Sequence, residues 1–215
     1  MKLIIFGATG LVGKQLVQQA LFNRHHVKAF GRNVFTTDYL PTGSGGETEN
    51  LELVQGALFD EGEVYKAIKG FDAVISAIGG SMDGTDKTRT LGMKNIIKQM
   101  QKAGVKRIIG IGGLGVLNAD ENSLLVDKDD YPPEYKAVGF EHKKAFELLN
   151  ESGLDWTFVC PHNSIHEAPT RSYSTNTNYP PELNNYKINA GDLAMFILNE
   201  LQKNEYVKQR VGISN

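Results

Sequence analysis

Apolar side chains along this chain fall into two alternating kinds of run. Short blocks, mostly β-branched or aromatic and closed by Gly, Asp or Pro, stand at residues 3–6, 27–30, 51–54, 73–77, 107–111 and 156–159. Blocks of that length and content, bounded by turn formers, predict buried strands. Between them the apolar positions recur every three or four residues. Val12, Leu16 and Ala20, joined by Val17 and Leu21, share one helical face. Asp60 is placed to cap a short helix ending at Lys69, with Glu63 reaching back and Gly70 closing it. A segment from about 86 to 103 carries Leu91, Ile96, Ile97 and Met100 and stops at Gly104. Another, from about 136 to 152, carries Phe140, Ala145, Leu148 and Leu149 and stops at Gly153. A last helix, opened by Asp192, runs through Ala194, Ile197 and Leu201. Residues 40–50 and 172–185, rich in Gly, Ser, Thr, Asn and Pro, read as loops. Alternation of this kind demands right-handed crossovers. It predicts an α/β fold, a doubly wound parallel sheet in three layers, with all 215 residues in one domain.

The first strand runs straight into Gly7-Ala8-Thr9-Gly10-Leu11-Val12-Gly13. Gly7 permits a tight turn, Gly10 lets backbone approach a diphosphate, and Gly13 lets the helix pack closely on the sheet. The free N–H groups and positive dipole end of that helix favour phosphate. A strand before the loop and a helix after it make the motif specific for a dinucleotide. The end of the second strand bears on which one. An Asp or Glu there would take a ribose 2′-hydroxyl, but the chain reads Phe30-Gly31-Arg32-Asn33, with no carboxylate before Asp38. The planar charged fork of Arg32 suits a 2′-phosphate, so NADP(H) is expected over NAD(H). The competing reading is a solvated surface arginine.

Composition narrows the rest. With 40% hydrophobic and 22% charged residues the chain is not disordered, and no apolar run reaches the roughly 20 residues of a membrane span. A net charge of −2 supplies no positive field for nucleic acid or anionic lipid. Lys94, Lys98, Lys102, Lys106 and Arg107 read as a solvated helix face rather than a nucleic-acid strip. Cys160 is alone, so no internal disulfide forms, and the chain opens directly on a strand. Together these predict a cytoplasmic protein. His25 and His26 have no partners at metal-ligand spacing, so no metal is expected.

Several segments in order carry a family resemblance: the loop GATGLVG, residues 54–60 (VQGALFD), 70–79 (GFDAVISAIG), 103–108 (AGVKRI) and 152–157 (SGLDWT). They resemble atypical short-chain dehydrogenase/reductases, in particular the NmrA-like branch similar to flavin and biliverdin-IXβ reductases. The likeness covers nearly the whole chain, through Asp192-Leu193-Ala194. It implies a Rossmann-like fold with NADP(H) across the strand ends. Gly7, Thr9, Gly10, Leu11 and Val12 would line the pyrophosphate and Arg32 the 2′-phosphate. Ala57 and Leu58 would border adenine, although relatives often place Asp at the position of Ala57. Ala77, Ile78 and Gly79 would run beside the ribose. Asn95 matches a helix asparagine of the relatives, and equally suits a buried structural donor.

The departures concern catalysis. Relatives that act on alcohols and ketones use Ser, Tyr and Lys, the tyrosine protonating the carbonyl oxygen. Here Gly112-Gly113-Leu114-Gly115 stands where the serine would. Lys143 and Lys144 have Gly139 and Phe140 four residues earlier, and neither Tyr131 nor Tyr135 has Lys four residues later. A flavin or linear tetrapyrrole can take its proton from solvent, and the resembled reductases work without the triad.

The sixth strand ends Cys160-Pro161-His162-Asn163-Ser164-Ile165-His166, at the cleft side of such a sheet. His162 or His166 is a candidate proton donor, or both shape a polar loop. Cys160 reads as a buried, inert thiol. Lys143 is a candidate contact for the nicotinamide ribose, or part of a solvated face, and His142 reads as exposed or as a satisfied helix residue. Gly112 to Leu114 would form the pocket floor, facing residues 162–165. The expected function is an NADPH-dependent reductase passing hydride to a flat conjugated small molecule, a flavin among the candidates. The alternatives are a non-catalytic NADP(H)-sensing regulator and a nucleotide-sugar isomerase or dehydratase. Nothing in the residues specifies an oligomeric state.

Overall fold

The computed structural model describes residues 1–35, 39, 48–167, 169–182 and 185–215. Asp38 and residues 40–47 of the first expected loop lie outside the described residues. Eight strands form the main sheet: β1 (Lys2–Phe6), β2 (His26–Gly31), β3 (Leu51–Gln55), β4 (Ala73–Ser76), β5 (Arg107–Ile111), β6 (Asp155–Pro161), β7 (Ser174–Thr177) and β8 (Gln209–Ser214). Their order is β7-β8-β6-β5-β4-β1-β2-β3, and all pairings are parallel except β7 with β8. Five helices cover the faces: α1 (Leu11–Phe22), α2 (Glu61–Ile68), α3 (Thr88–Ala103), α4 (Pro133–Asn150) and α5 (Ala190–Lys203). This is the doubly wound Rossmann-like sheet in three layers that the alternation predicts.

The central strands β1 and β4 read as apolar runs because both faces of the sheet are covered there. Leu3 and Ile5 point into one core with Leu16, Val17, Leu193 and Ile197 of α1 and α5. Ile4 and Phe6, one position out of phase, point into the other with Val64, Ile96, Met100 and Phe158.

Five expectations need correction. The 172–185 loop contains β7, an antiparallel edge strand whose Ser, Thr and Asn side chains hide it from an apolar pattern. β8, and the small hairpin of Asn118–Asp120 with Ser123–Leu124, carry no run strong enough to announce them. α3 begins at Thr88, and α4 begins three residues earlier than expected, at Pro133, where a missing N–H costs nothing. Asp60 does cap α2, accepting from the Glu63 N–H at 2.8 Å, but the Glu63 carboxylate turns to the Ala57 N–H at 2.7 Å instead of reaching back. Asp192 does not open α5. It is the third helical residue, fully buried, accepting from the backbone N–H groups of Thr170 (2.9 Å) and Arg171 (2.8 Å). These bonds hold its carboxyl below the ordinary range despite burial.

At the opposite end of the sheet from the strand exits, Arg107 of β5 donates to Glu200 of α5 at 2.8 Å. Glu200 also accepts from the Thr157 hydroxyl and the Glu205 and Tyr206 N–H groups. Burial pulls the Arg107 pKa down and Glu200 resists that shift. Replacing Glu200 by Ala takes the carboxylate away from a buried cation, and the expected loss is about 3–5 kcal/mol. It is read as a lower urea midpoint at unchanged m-value. A loss under about 1 kcal/mol would mean that the pair behaves as an exposed one.

Candidate active site

β1 passes through α1 to β2 on one side, while the chain returns through α2 to β4 on the other. The order of strands therefore reverses between β1 and β4, and their carboxyl ends part around a crevice. The crevice is a cleft of about 640 Å³ bounded by the loop after β1, the exits of β2 and β3, and residues 77–81 with Asp86 and Thr88.

Its floor is set by glycine. Gly7 has φ +78°, and a Cβ there would collide with the Ala77 carbonyl of the neighbouring strand exit. A Cβ on Gly13 would strike the Gly7 carbonyl, so α1 rests directly on the turn. Gly10 is the N-cap of α1, with no side-chain cap and no acidic residue in the first turn to engage the helix's free N–H groups. Gly7, Thr9 and Gly10 line the cleft. Leu11 and Val12 begin α1 and do not.

Arg32 lines the cleft just beyond β2, exposed, with no carboxylate paired to it among the described residues. Ala57 and Leu58 form the next wall. The Ala57 N–H is held by Glu63, and the Leu58 carbonyl accepts from Asn95 Nδ2 at 2.8 Å. Gln99 in turn donates to Asn95 Oδ1 at 3.0 Å, and the Leu58 side chain packs where a Cβ on Gly92 would stand. Asn95 thus serves as a buried donor that holds the wall.

The opposite wall is Ala77, Ile78 and Gly79. Beyond it Asp86 accepts from the Ser81 and Thr88 N–H groups, and buried Arg89 donates to the Gly80 (3.1 Å) and Ser81 (2.9 Å) carbonyls. The sequence reading did not single out Arg89 or Asp86. Only their three-residue spacing at the start of a helix could have suggested a loop clamp.

Gly112, His162 and Lys143 stand outside this lining. Gly112 leaves β5 with its N–H on the Val159 carbonyl at 2.7 Å, and the Phe158 ring fills the place of a side chain. His162 follows β6. Its ring sits edge-on between Tyr135 and Tyr186, with centroids at 5.5 and 5.4 Å, and its Nδ1 is buried with no hydrogen-bond partner among the described residues. Lys143 is engaged by Asp127 at 2.7 Å. His166 is exposed. Cys160 is fully buried and its thiol pKa is pushed far up by desolvation, the inert state expected of it. His142 is half-buried against Gly113, and among the described residues no hydrogen bond engages its ring. Among the described residues no group of His, Cys, Asp and Glu could hold a metal ion, and no helix is long and apolar enough to cross a membrane.

A glycine turn, a helix N-terminus and a cleft at the reversal of strand order define a dinucleotide-binding domain. The chain belongs to the NAD(P)H-binding family, which it matches over residues 7–204. An uncharacterized Bacillus subtilis protein, YwnB, is 26% identical over 220 residues, covering 99% of this chain and 98% of that protein. A Streptococcus pneumoniae protein assigned provisionally as an NADH-flavin reductase superposes with a TM-score of 0.83 at 27% identity, covering 100% and 99% of the two chains. A Bacteroides thetaiotaomicron protein described provisionally as an epimerase gives 0.78 at 27%, covering 99% and 96%. The resemblance to NmrA-like and flavin-reductase-type Rossmann proteins holds for the whole chain.

Replacing Asn95 by Ala removes the donor that holds the Leu58 carbonyl. NADPH binding, followed by the fluorescence of the reduced nicotinamide, is expected to weaken about three- to tenfold, with stability lower by about 1 kcal/mol. Unchanged affinity would mean that the wall stands without Asn95.

Proposed function

We propose that this protein is an NADPH-dependent reductase that passes a hydride to a flat conjugated small molecule, with a flavin as the leading candidate. The observation that carries the reading is Arg32, a permanently charged fork on the wall of a cleft whose other walls are backbone and small apolar side chains. In this assignment Gly7, Thr9 and Gly10, with the Leu11 and Val12 backbone at the start of α1, hold the pyrophosphate. Arg32 takes the 2′-phosphate, Ala57 and Leu58 border adenine, and Ala77, Ile78 and Gly79 flank the ribose. NADPH bound there supplies the hydride from its nicotinamide ring.

The chain's part is orientation and exclusion of water, with little acid–base chemistry. Glycine at 112, 113 and 139 offers no hydroxyl of the triad kind, and Val126 and the Tyr131 ring fill the space beside Gly139. An acceptor that takes its proton from solvent suits such a site. In this assignment Gly112, just outside the cleft lining, borders the nicotinamide. His162 faces the acceptor with an unpartnered ring nitrogen, its ring fixed between two tyrosines. Lys143 plays a lesser part, since its ammonium must leave Asp127 to reach a ribose.

A cofactor-sensing regulator is the second reading, favoured by the same missing hydroxyls. NADPH oxidation, followed at its absorbance band with FMN, quinonoid dyes or a linear tetrapyrrole, separates the two. Turnover is the expected result. Tight NADPH binding without turnover across the panel would replace the reductase by the sensor, and a rearranged sugar nucleotide with no net oxidation would replace it by an isomerase.

Arg32→Ala is expected to weaken NADPH binding about tenfold or more while changing NADH by less than about threefold, the scale of one charge-assisted contact at an exposed site. Equal loss for both nucleotides would remove Arg32 from the 2′-phosphate.

A further inference from the structure

Gly113 has φ −147° and ψ 161°, an extended backbone that any residue adopts. Its lack of a side chain therefore has a cause other than the backbone. A Cβ there would stand 2.9 Å from Cδ2 and 3.3 Å from Nε2 of His142, so the imidazole from α4 occupies the room that a side chain at 113 would need.

The place matters. Gly113 follows the carboxyl end of β5, and β5 lies beside β4, whose exit at Ala77, Ile78 and Gly79 lines the cofactor cleft. The His142 imidazole makes no hydrogen bond among the described residues, and it stands deep among protein atoms with part of its surface open. Desolvation, reinforced by the nearby Arg89 charge, pushes its pKa down to about 3, so the ring is neutral and carries one N–H and one lone pair. Its ring nitrogens are not sealed off by protein, so a ligand in the neighbouring space can reach both a donor and an acceptor.

We propose that His142 is an acceptor-binding residue. Its imidazole hydrogen-bonds the carbonyl or ring-nitrogen edge of a planar heterocycle, from the position that a serine side chain at 113 would otherwise occupy. The inference rests on the reductase reading above and adds the group that recognises the acceptor.

The test uses FMN as the probe and the full chain loaded with NADPH or NADP⁺. His142→Ala is expected to raise the KM for FMN about tenfold and weaken FMN binding to the NADP⁺ complex to the same degree, with NADPH affinity unchanged. His142→Gln, which keeps a donor and an acceptor, is expected to stay within about threefold of the wild type. Removing the ring frees the space at 113, so His142→Ala with Gly113→Ser is expected to recover FMN binding, whereas His142→Ala with Gly113→Ala is not. Equal recovery by both double variants would reduce His142 to packing and overturn the proposal. So would wild-type FMN kinetics in His142→Ala, which would leave the reductase reading intact. A wild-type protein that binds NADPH but neither binds nor reduces FMN overturns the flavin reading and His142's role together.

Discussion

Three backbones meet where β1 ends, so closely that a side chain on Gly7 or Gly13 would collide there. The left-handed Gly7 turn lies against the Ala77 carbonyl, and α1 comes down on the Gly7 carbonyl through Gly13. That contact fixes the angle at which α1 leaves the sheet, and with it the direction of the helix's free N–H groups. It also sets the gap between β1 and β4 at the point where the strand order reverses. The cleft exists because these backbones touch.

The walls above that floor depend on α3. Asn95 holds the Leu58 carbonyl, Gly92 receives the Leu58 side chain, and Arg89 holds the Gly80 and Ser81 carbonyls across the cleft. Arg89, Gly92, Asn95 and Gln99 recur at helical spacing along one face of α3. In an amphipathic reading they are unremarkable polar or small positions. In the fold they tie loops from both sides of the site to one helix, while Ile96 and Met100 sit in the core.

Much of this was legible beforehand, for physical reasons. Both faces of the central strands are buried, so their apolar runs are continuous and short, and the Gly7–Gly13 pattern follows the first of them. β7 was not legible because an edge strand of half-exposed Ser, Thr and Asn meets no apolar demand. Asp192 was misplaced because an acid near a helix start resembles a cap until its partners, Thr170 and Arg171, are seen to come from another segment. His142 escaped for a similar reason. Its neighbour Gly113 is 29 positions away in the chain, and only folding brings an imidazole into the room that the glycine leaves.

Because one helix grips the rims on both sides, the width of the mouth is decided by tertiary contacts before any nucleotide arrives. Entry then requires little reordering of these rims, so little binding energy is spent on fixing them. Any change that shifts α3 along its axis would alter both rims at once, so this helix couples the reach of the site to its grip.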